Sequence, residues 1–201
     1  MAKVDRAKDS SREDGGSGDA LGAHEGKMER IEIRESAPGD LTPIEALYPE
    51  AFPNEDLLPL VTELLREPTI ALSLVGIIER SPVGHVMFTT CGVAGGSEKV
   101  ALLGPLAVAP ARQRQGIGSA LVRAGLQRLD SFGVTGVFVL GDPAYYRRLG
   151  FLPEIRIAPP YPLPAEWRGA WQSRSLSNAG LPRLGKLSVP RPWLQPALWA
   201  P

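Results

Sequence analysis

The first part of the chain carries an alternating and then a helical pattern of apolar residues. Residues 31–34, IEIR, alternate apolar and charged side chains, as a half-buried strand does. Apolar residues then recur twice at helical spacing. We expect a short helix that Asp40 caps and that runs toward Ala51, followed by a second helix over residues 55–66 with Asn54 as its cap.

Three apolar stretches follow and predict consecutive strands. Residues 69–78 and 83–91 are joined by a turn at residues 79–82, and a Gly-Gly-Ser turn at 95–97 leads to a third stretch near 99–109. Short connections of this kind join antiparallel neighbours. The pattern therefore predicts an antiparallel meander.

After the third strand, the pattern of apolar residues predicts a loop, a long helix and a short strand. Residues 116–132 place a broad apolar stripe on one helical face, and this stripe ends at Phe132. Residues 137–140 are wholly apolar, which is typical of a strand inside a sheet. The predicted class is mixed α/β: a mixed central sheet with an antiparallel meander and one βα crossover.

The two ends of the chain differ in composition from the middle. Residues 1–27 are rich in charged residues and glycine and hold almost no large apolar side chains, so we expect a disordered N-terminal tail. Residues 28–201 then form a single domain. Beyond Leu152 the chain is rich in proline and tryptophan, and we expect irregular segments with one or two edge strands packed on the main sheet. The tryptophans of this segment are Trp167, Trp171, Trp193 and Trp199.

Charge and cysteine content narrow the functional classes. The 22 Lys+Arg residues balance 22 Asp+Glu residues, so no global charge favours nucleic acid or an anionic membrane as a partner. A single cysteine, Cys91, and two histidines make a metal centre improbable, and we predict none. The longest apolar run, residues 70–78, is too short to span a bilayer. We see no signal-peptide pattern after Met1 and expect a cytoplasmic protein.

The residues that indicate a ligand-binding site lie in one stretch, residues 102–119, LLGPLAVAPARQRQGIGS. Proline has no amide hydrogen for a strand ladder, so Gly104–Pro105 inside a predicted central strand implies a bulge or a place where two strands part. Residues 113–119 then run straight into a helix. Two glycines there let backbone amides approach a ligand, and the unsatisfied amides of a helix N-terminus favour phosphate.

The glycine pattern alone has competing interpretations. Gly-x-Gly before a helix also occurs as ordinary turn chemistry. A dinucleotide-binding fold needs a third glycine three residues after Gly118, where this chain has Leu121. A Walker loop needs Gly-Lys-Ser/Thr, which is absent. Neither of these two nucleotide-binding motifs fits.

Two motifs in order along the chain resolve this ambiguity. Gln113-x-x-Gly116-x-Gly118 follows an apolar strand, and Tyr146 stands four residues before Gly150 in YYRRLGF. They resemble motifs A and B of the GNAT N-acetyltransferase family. The fuller pattern GPLAV…RQRQGIGSALV…VLGDPAYYRRLGF resembles one subgroup, the predicted N-acetyltransferases of the YhbS type.

The resemblance covers roughly residues 31–151 and implies the family's fold and cosubstrate. The GNAT fold carries helices on both faces of the sheet and opens two strands around the pantetheine arm of acetyl-CoA. The resemblance assigns backbone groups on the strand to that arm and the following loop to the pyrophosphate. The implied cofactor-binding residues are Leu106, Ala107, Val108, Gln113, Arg114, Gln115, Gly116, Ile117, Gly118 and Ser119.

The resemblance also implies a reaction. Acetyl-CoA donates its acetyl group directly to an amine, and Tyr146 matches the family tyrosine that protonates the departing thiolate. The sequence offers three candidates for the general base, Glu55, Asp56 and His85, and does not decide between them. We read Cys91 as a small buried hydrophobe and not as a nucleophile.

The acceptor is a small-molecule or peptide amine that the sequence does not identify further. An alternative function from another class is a non-catalytic acyl-CoA-binding or regulatory module on the same scaffold. An intact glycine loop serves either role, so turnover is the property that separates them. The oligomeric state is not predicted.

Overall fold

The structure is a computed structural model that describes residues 30–67, 71–176, 181 and 184–199. The predicted tail, residues 1–27, lies outside the described residues. Within the described ranges, no helix has the length and apolar content needed to cross a membrane. The helices are α1 (Leu41–Ala51), α2 (Leu58–Leu65), α3 (Ile117–Ser131) and α4 (Pro143–Arg147). The strands are β1 (Glu32–Glu35), β2 (Ala71–Ile78), β3 (Ser81–Val93), β4 (Val100–Val108), β5 (Gly136–Leu140), β6 (Leu152–Pro153), β7 (Ile157–Ala158), β8 (Trp171–Ser175) and β9 (Gly185–Ser188).

The central sheet follows the predicted plan. Its strands lie in the order β1-β2-β3-β4-β5-β8-β6, and β9 joins β3 to β7 beside it. β1 to β4 pair antiparallel, whereas β4 and β5 pair parallel and are connected by α3. The antiparallel meander and the βα crossover are therefore both confirmed.

Two hydrophobic cores cover the two faces of this sheet. On one face, α1 and α2 pack with residues such as Ile44 and Leu60, both nearly inaccessible to solvent. On the other face, α3 and α4 pack through residues that include Leu121 and Tyr146. Helices on both faces were expected from the resemblance, and the structure has them.

The parallel pair β4–β5 separates halfway along β4. Its register runs from Val100 opposite Gly136 to Leu103 opposite Val139 and goes no further, although β4 continues to Val108. Gly104 adopts a φ of 140°, a left-handed conformation that L-residues other than glycine rarely adopt. The register between β3 and β4 also shifts at this point. The predicted bulge and the predicted parting of strands thus both occur at Gly104–Pro105.

The two predicted helix starts have different outcomes. Asp40 occupies the N-cap position of α1, as predicted, but its side chain makes no cap hydrogen bond to that helix. Its carboxylate instead accepts two hydrogen bonds from Arg34 (2.6 and 2.9 Å) and one from the Ala37 amide (2.7 Å). The second helix begins at Leu58 and not at residue 55. The side chain that accepts the Leu58 amide belongs to Asp56 (3.2 Å), and not to Asn54.

The end of α3 and the C-terminal segment also differ in detail from the prediction. Phe132 was expected on the buried stripe, but it follows the last helical residue and is 60% exposed. β8 lies inside the sheet between β5 and β6, where we had expected only edge strands. The burial expected of the tryptophans is confirmed for Trp171, Trp193 and Trp199.

We predict that Gly125→Ala destabilises the fold, because α3 approaches β3 closely there. A Cβ at Gly125 would lie 2.1 Å from Cε2 of Phe88, a ring that is 1% exposed. Overpacking of this kind costs roughly 1–3 kcal/mol, and the higher helix propensity of alanine offsets up to about 1 kcal/mol of that. Urea unfolding should show a net loss of about 1–2 kcal/mol.

Gly39→Ala is the matched control, since a Cβ there meets nothing within 4 Å. It should leave the free energy of unfolding within about 0.5 kcal/mol of the parent. Equal stabilities for the two variants would contradict the close packing of α3 on β3.

Candidate active site

The glycine loop connects β4 to α3 through a tight sequence of backbone conformations. A single 3-10 turn, Pro110–Arg112, follows β4. Arg114 and Gly116 then take positive φ values of 60° and 83°. Gly116 precedes the first residue of α3 and turns the chain into the helix.

The first turn of α3 presents unpaired amides at this loop. The Ala120 amide donates to the Gly116 carbonyl at 2.9 Å, so the amides of Ile117, Gly118 and Ser119 before it have no acceptor within the helix. The positive end of the helix dipole lies at the same place. This geometry suits a phosphate group.

Two glutamine side chains hold the loop in shape. Nε2 of Gln113 donates to the Val108 carbonyl at 3.2 Å, and Nε2 of Gln115 donates to the Ala111 carbonyl at 3.3 Å. Both side chains therefore tie the loop to its own backbone, and the side chains of Gln113, Arg114 and Gln115 are exposed. The predicted cofactor residues thus lie on the last part of β4, where Leu106 and Ala107 are buried, and on the exposed loop that follows it.

α4 carries two adjacent tyrosines. The carboxylate of Asp142 accepts the Ala144 amide at 2.8 Å and so caps the start of this helix. The hydroxyl of Tyr145 lies under the first turn of α3, where it would be 2.6 Å from a Cβ on Gly118. Arg148 lies over the Tyr145 ring at 5.3 Å from its centroid. α4 thus contacts the glycine loop directly.

Tyr146 points the other way, into the core, and is inaccessible to solvent. Its ring packs edge-on against Phe151, with centroids 5.6 Å apart. Its hydroxyl is buried and makes no hydrogen bond to any residue in the described part of the chain. Burial raises the pKa of Tyr146 well above its usual value, so the phenol stays protonated.

A small cavity lies where β4 and β5 part. Its volume is about 20 Å³, and Tyr146 forms part of its wall. Residues of β4, β5 and the C-terminal segment form the rest: Leu102, Leu103, Gly104, Val139, Leu140, Trp193, Leu198 and Trp199. The cavity therefore lies between the end of the open strand edge and Tyr146.

Known proteins that resemble this chain in sequence and fold are acetyltransferases. The family model described as "Acetyltransferase (GNAT) family" matches residues 41–151, more than half of the chain. The chain belongs to the GNAT acetyltransferase family. The N-acetyltransferase activity predicted from motifs A and B is that of this family.

Relatives and solved structures agree with the GNAT assignment. The chain is 34% identical over 160 residues to the N-acetyltransferase YjhQ of Escherichia coli, covering 76% of this chain and 88% of the relative. It is 34% identical over 156 residues to YhbS of the same organism, covering 76% and 89%. The predicted resemblance to the YhbS type is therefore confirmed.

Two solved GNAT structures share the fold over most of their length. The structure of E. coli YhbS in complex with CoA has a TM-score of 0.75 at 30% identity, covering 86% of this chain and 96% of that one. A GNAT acetyltransferase from Brucella melitensis in complex with acetyl-CoA has a TM-score of 0.67 at 29% identity, covering 82% and 99%. Those proteins bind CoA and acetyl-CoA.

The three candidate bases occupy different places in this GNAT fold. Glu55 and Asp56 lie in the connection between α1 and α2, and Asp56 is exposed. His85 is completely buried on β3. Its Nδ1 lies 2.8 Å from the Tyr48 hydroxyl, and its Nε2 lies 2.8 Å from Oγ of Ser73. Both ring nitrogens are thus occupied within the protein.

Burial determines the protonation of His85 and Cys91. Desolvation lowers the pKa of His85 to about 3, although the nearby Asp40 carboxylate acts in the opposite direction. A histidine with that pKa stays neutral at physiological pH and is a weak base. Burial raises the pKa of the Cys91 thiol to about 12, so the thiolate is not formed there. The interpretation of Cys91 as a small buried hydrophobe is confirmed by its 7% exposure.

The cavity wall contains residues that no motif identified. Trp193, Leu198 and Trp199 lie far from the two motifs in sequence and belong to the Pro/Trp-rich segment. The one signal in the sequence was the number of tryptophans, which predicted burial and not location. Nor did the sequence indicate that Tyr48 and Ser73 bracket His85.

We predict a pH-dependent stability that His85 controls. Its pKa in the folded state, about 3, lies below the unfolded value of roughly 6.5. The unfolded chain therefore binds a proton between these values and the folded chain does not, so stability falls as pH decreases through this window. From pH 7 to pH 5 this single group should remove about 2 kcal/mol.

The measurement is urea unfolding of the parent and of His85→Gln at pH 7 and pH 5. The glutamine side chain does not titrate, so the variant should lose about 2 kcal/mol less than the parent over this range. All other titrating groups are common to both proteins. Parallel pH dependences would show that His85 binds its proton normally in the folded state.

Proposed function

We propose that this GNAT protein transfers the acetyl group of acetyl-CoA directly to a small-molecule or peptide amine. The observation that carries this proposal is Tyr146, which lines the cavity where β4 and β5 separate and whose buried hydroxyl has no partner among the described residues. Burying a hydroxyl without a hydrogen bond costs free energy. A bound substrate atom at this point offsets that cost.

The open edge of β4 and the glycine loop would hold the donor. Beyond Leu103, β4 has no β5 partner, and residues 106–108 lie along this unpaired edge between the loop and the cavity. Backbone groups there would bind the amides of a pantetheine arm. The amides of residues 113–119 would hold the pyrophosphate, with Arg112 and Arg114 adding positive charge nearby.

Tyr146 would act on the leaving group. As the amine nitrogen bonds to the acetyl carbon and the carbon–sulfur bond breaks, negative charge develops on sulfur. The Tyr146 hydroxyl would donate its proton there. The attacking nitrogen would release one proton to solvent, and the phenolate would take one back, so that the products are an amide and a free thiol. Burial raises the pKa of the Tyr146 phenol, which keeps its proton in place until negative charge develops on sulfur.

The direct test is release of free thiol from acetyl-CoA in the presence of amines, polyamines, amino acids and peptides. Acceptor-dependent release supports the proposed transfer and names the acceptor class. Acetyl-CoA binding without turnover on any acceptor would favour the non-catalytic acyl-CoA-binding module. Absence of both binding and turnover would overturn the proposal.

We predict that Tyr146→Phe lowers kcat by about 10²–10⁴-fold, the contribution typical of a general acid. The change removes a hydroxyl that makes no hydrogen bond within the described structure, so the melting temperature should not fall. The loss should extend across the working pH range, because burial keeps the pKa of Tyr146 high and the phenol protonated.

Tyr161→Phe is the control for loss of a tyrosine hydroxyl, because Tyr161 is only partly buried and does not line the cavity. Its kcat should stay within about threefold of the parent. Full turnover by Tyr146→Phe at every pH would remove this residue from the mechanism.

We predict that Gly116→Ala weakens CoA binding by about tenfold or more. A Cβ there meets nothing within 4 Å in the free protein, but it protrudes from the exposed loop that would receive the pyrophosphate. The positive φ adds strain of roughly 1–2 kcal/mol. Calorimetric titration with CoA measures the affinity, and thermal melting measures the strain.

Gly133→Ala is the control that separates backbone strain from obstruction of the phosphate site by the added Cβ. Gly133 also has a positive φ (72°) and open space around it, but it follows the other end of α3. It should show a similar loss of stability with unchanged CoA affinity. Equal CoA affinities for the two variants would mean that the loop is not the phosphate site.

A further inference from the structure

The C-terminal segment closes the cavity at the parting of β4 and β5. Trp193, Leu198 and Trp199 line it from the face that α1 and α2 cover, whereas Tyr146 lines it from the face of α3 and α4. Cη2 of Trp193 would be 3.7 Å from a Cβ on Gly104, the residue at which β4 leaves β5. The two indoles therefore stand directly opposite the end of the open strand edge.

Hydrogen bonds fix both indoles in place. Nε1 of Trp193 donates to Oγ1 of Thr89 at 3.0 Å, and Nε1 of Trp199 donates to the Trp193 carbonyl at 3.0 Å. Trp193 is 5% exposed and Trp199 is 2% exposed. A movement of either ring would leave a buried N–H without a partner. The wall is thus rigid compared with one built from aliphatic side chains alone.

Ring packing adds to this rigidity. Trp199 packs against Trp193, with ring centroids 6.0 Å apart, and against Trp171 at 6.1 Å. Trp171 is itself held by a hydrogen bond from its Nε1 to the Ile157 carbonyl at 2.8 Å. The indole of Trp199 therefore cannot retreat from the cavity without displacing two other buried rings.

The size of the cavity limits what it can hold. A cavity needs roughly 10–15 Å³ to hold one water molecule, and this one has about 20 Å³. One methyl-sized group fits there, beside an apolar wall of leucine, valine and tryptophan carbons. A longer acyl chain directed at this wall would meet the two indoles and Leu198.

We propose that Trp193, Leu198 and Trp199 determine the acyl length of the donor, so that the enzyme uses acetyl-CoA and rejects acyl-CoAs with longer chains. The inference rests on the proposed function, since it assigns the cavity to the acyl methyl group. It adds a role for the C-terminal segment that neither motif contains. These are specificity-determining residues and not catalytic ones.

The test compares acetyl-CoA, propionyl-CoA and butyryl-CoA on the full chain, by calorimetric binding and by acceptor-dependent thiol release. The parent protein should discriminate against each added methylene by roughly 10–200-fold in kcat/KM. Leu198→Ala removes part of the wall without breaking an indole hydrogen bond. In this variant, kcat/KM for butyryl-CoA should lie within about threefold of kcat/KM for acetyl-CoA.

Leu194→Ala is the matched control from the same segment. Leu194 is 53% exposed and does not line the cavity, so this variant should retain the discrimination of the parent. Trp199→Phe provides a second opening of the wall if Leu198→Ala does not fold. In Trp199→Phe, too, kcat/KM for butyryl-CoA should rise relative to kcat/KM for acetyl-CoA.

The outcomes separate this inference from the proposed function. Turnover or binding of butyryl-CoA by the parent protein at the level of acetyl-CoA overturns the inference while acetyl transfer stands. An unchanged preference in folded Leu198→Ala and Trp199→Phe also overturns it. If no acyl-CoA binds or reacts, the proposed function fails, and the inference fails with it.

Discussion

The candidate site depends on one geometric constraint, the separation of β4 from β5 beyond Leu103. A parallel pair that stayed together to the end of β4 would leave no unpaired strand edge for a ligand. The separation occurs at Gly104–Pro105, where the glycine φ suits no other residue and the proline has no amide hydrogen for a neighbour. The cavity, the open edge and the approach to the glycine loop all follow from this one interruption.

The two faces of the sheet contribute different parts to this site. The α3 and α4 side supplies the helix N-terminus, the glycine loop and Tyr146. The α1 and α2 side supplies the buried tryptophans of the C-terminal segment. Because the cavity lies between the two cores, a group within it contacts residues from both faces of the sheet.

Burial sets the protonation of three titratable residues in this fold. Through its effect on each pKa, desolvation holds His85 neutral, the Cys91 thiol protonated and the Tyr146 phenol protonated. Two of these groups pack within the protein, His85 between two hydroxyls and Cys91 in the apolar core. Tyr146 differs, because its hydroxyl has no partner among the described residues and it borders the cavity.

Local patterns in the sequence were sufficient for the fold class, the meander, the α3 crossover and the two motifs, because apolar periodicity and glycine or proline positions act within a few residues. They failed where another element supplies a partner, since Arg34 of β1 binds the Asp40 carboxylate, which makes no cap bond to α1. They also failed at a helix boundary, because Phe132 falls just beyond the end of α3. The neutral state of His85 and the position of Trp193 and Trp199 beside the cavity depend on tertiary structure. Desolvation and cavity shape depend on which residues meet across the sheet, and no spacing along the chain encodes those contacts.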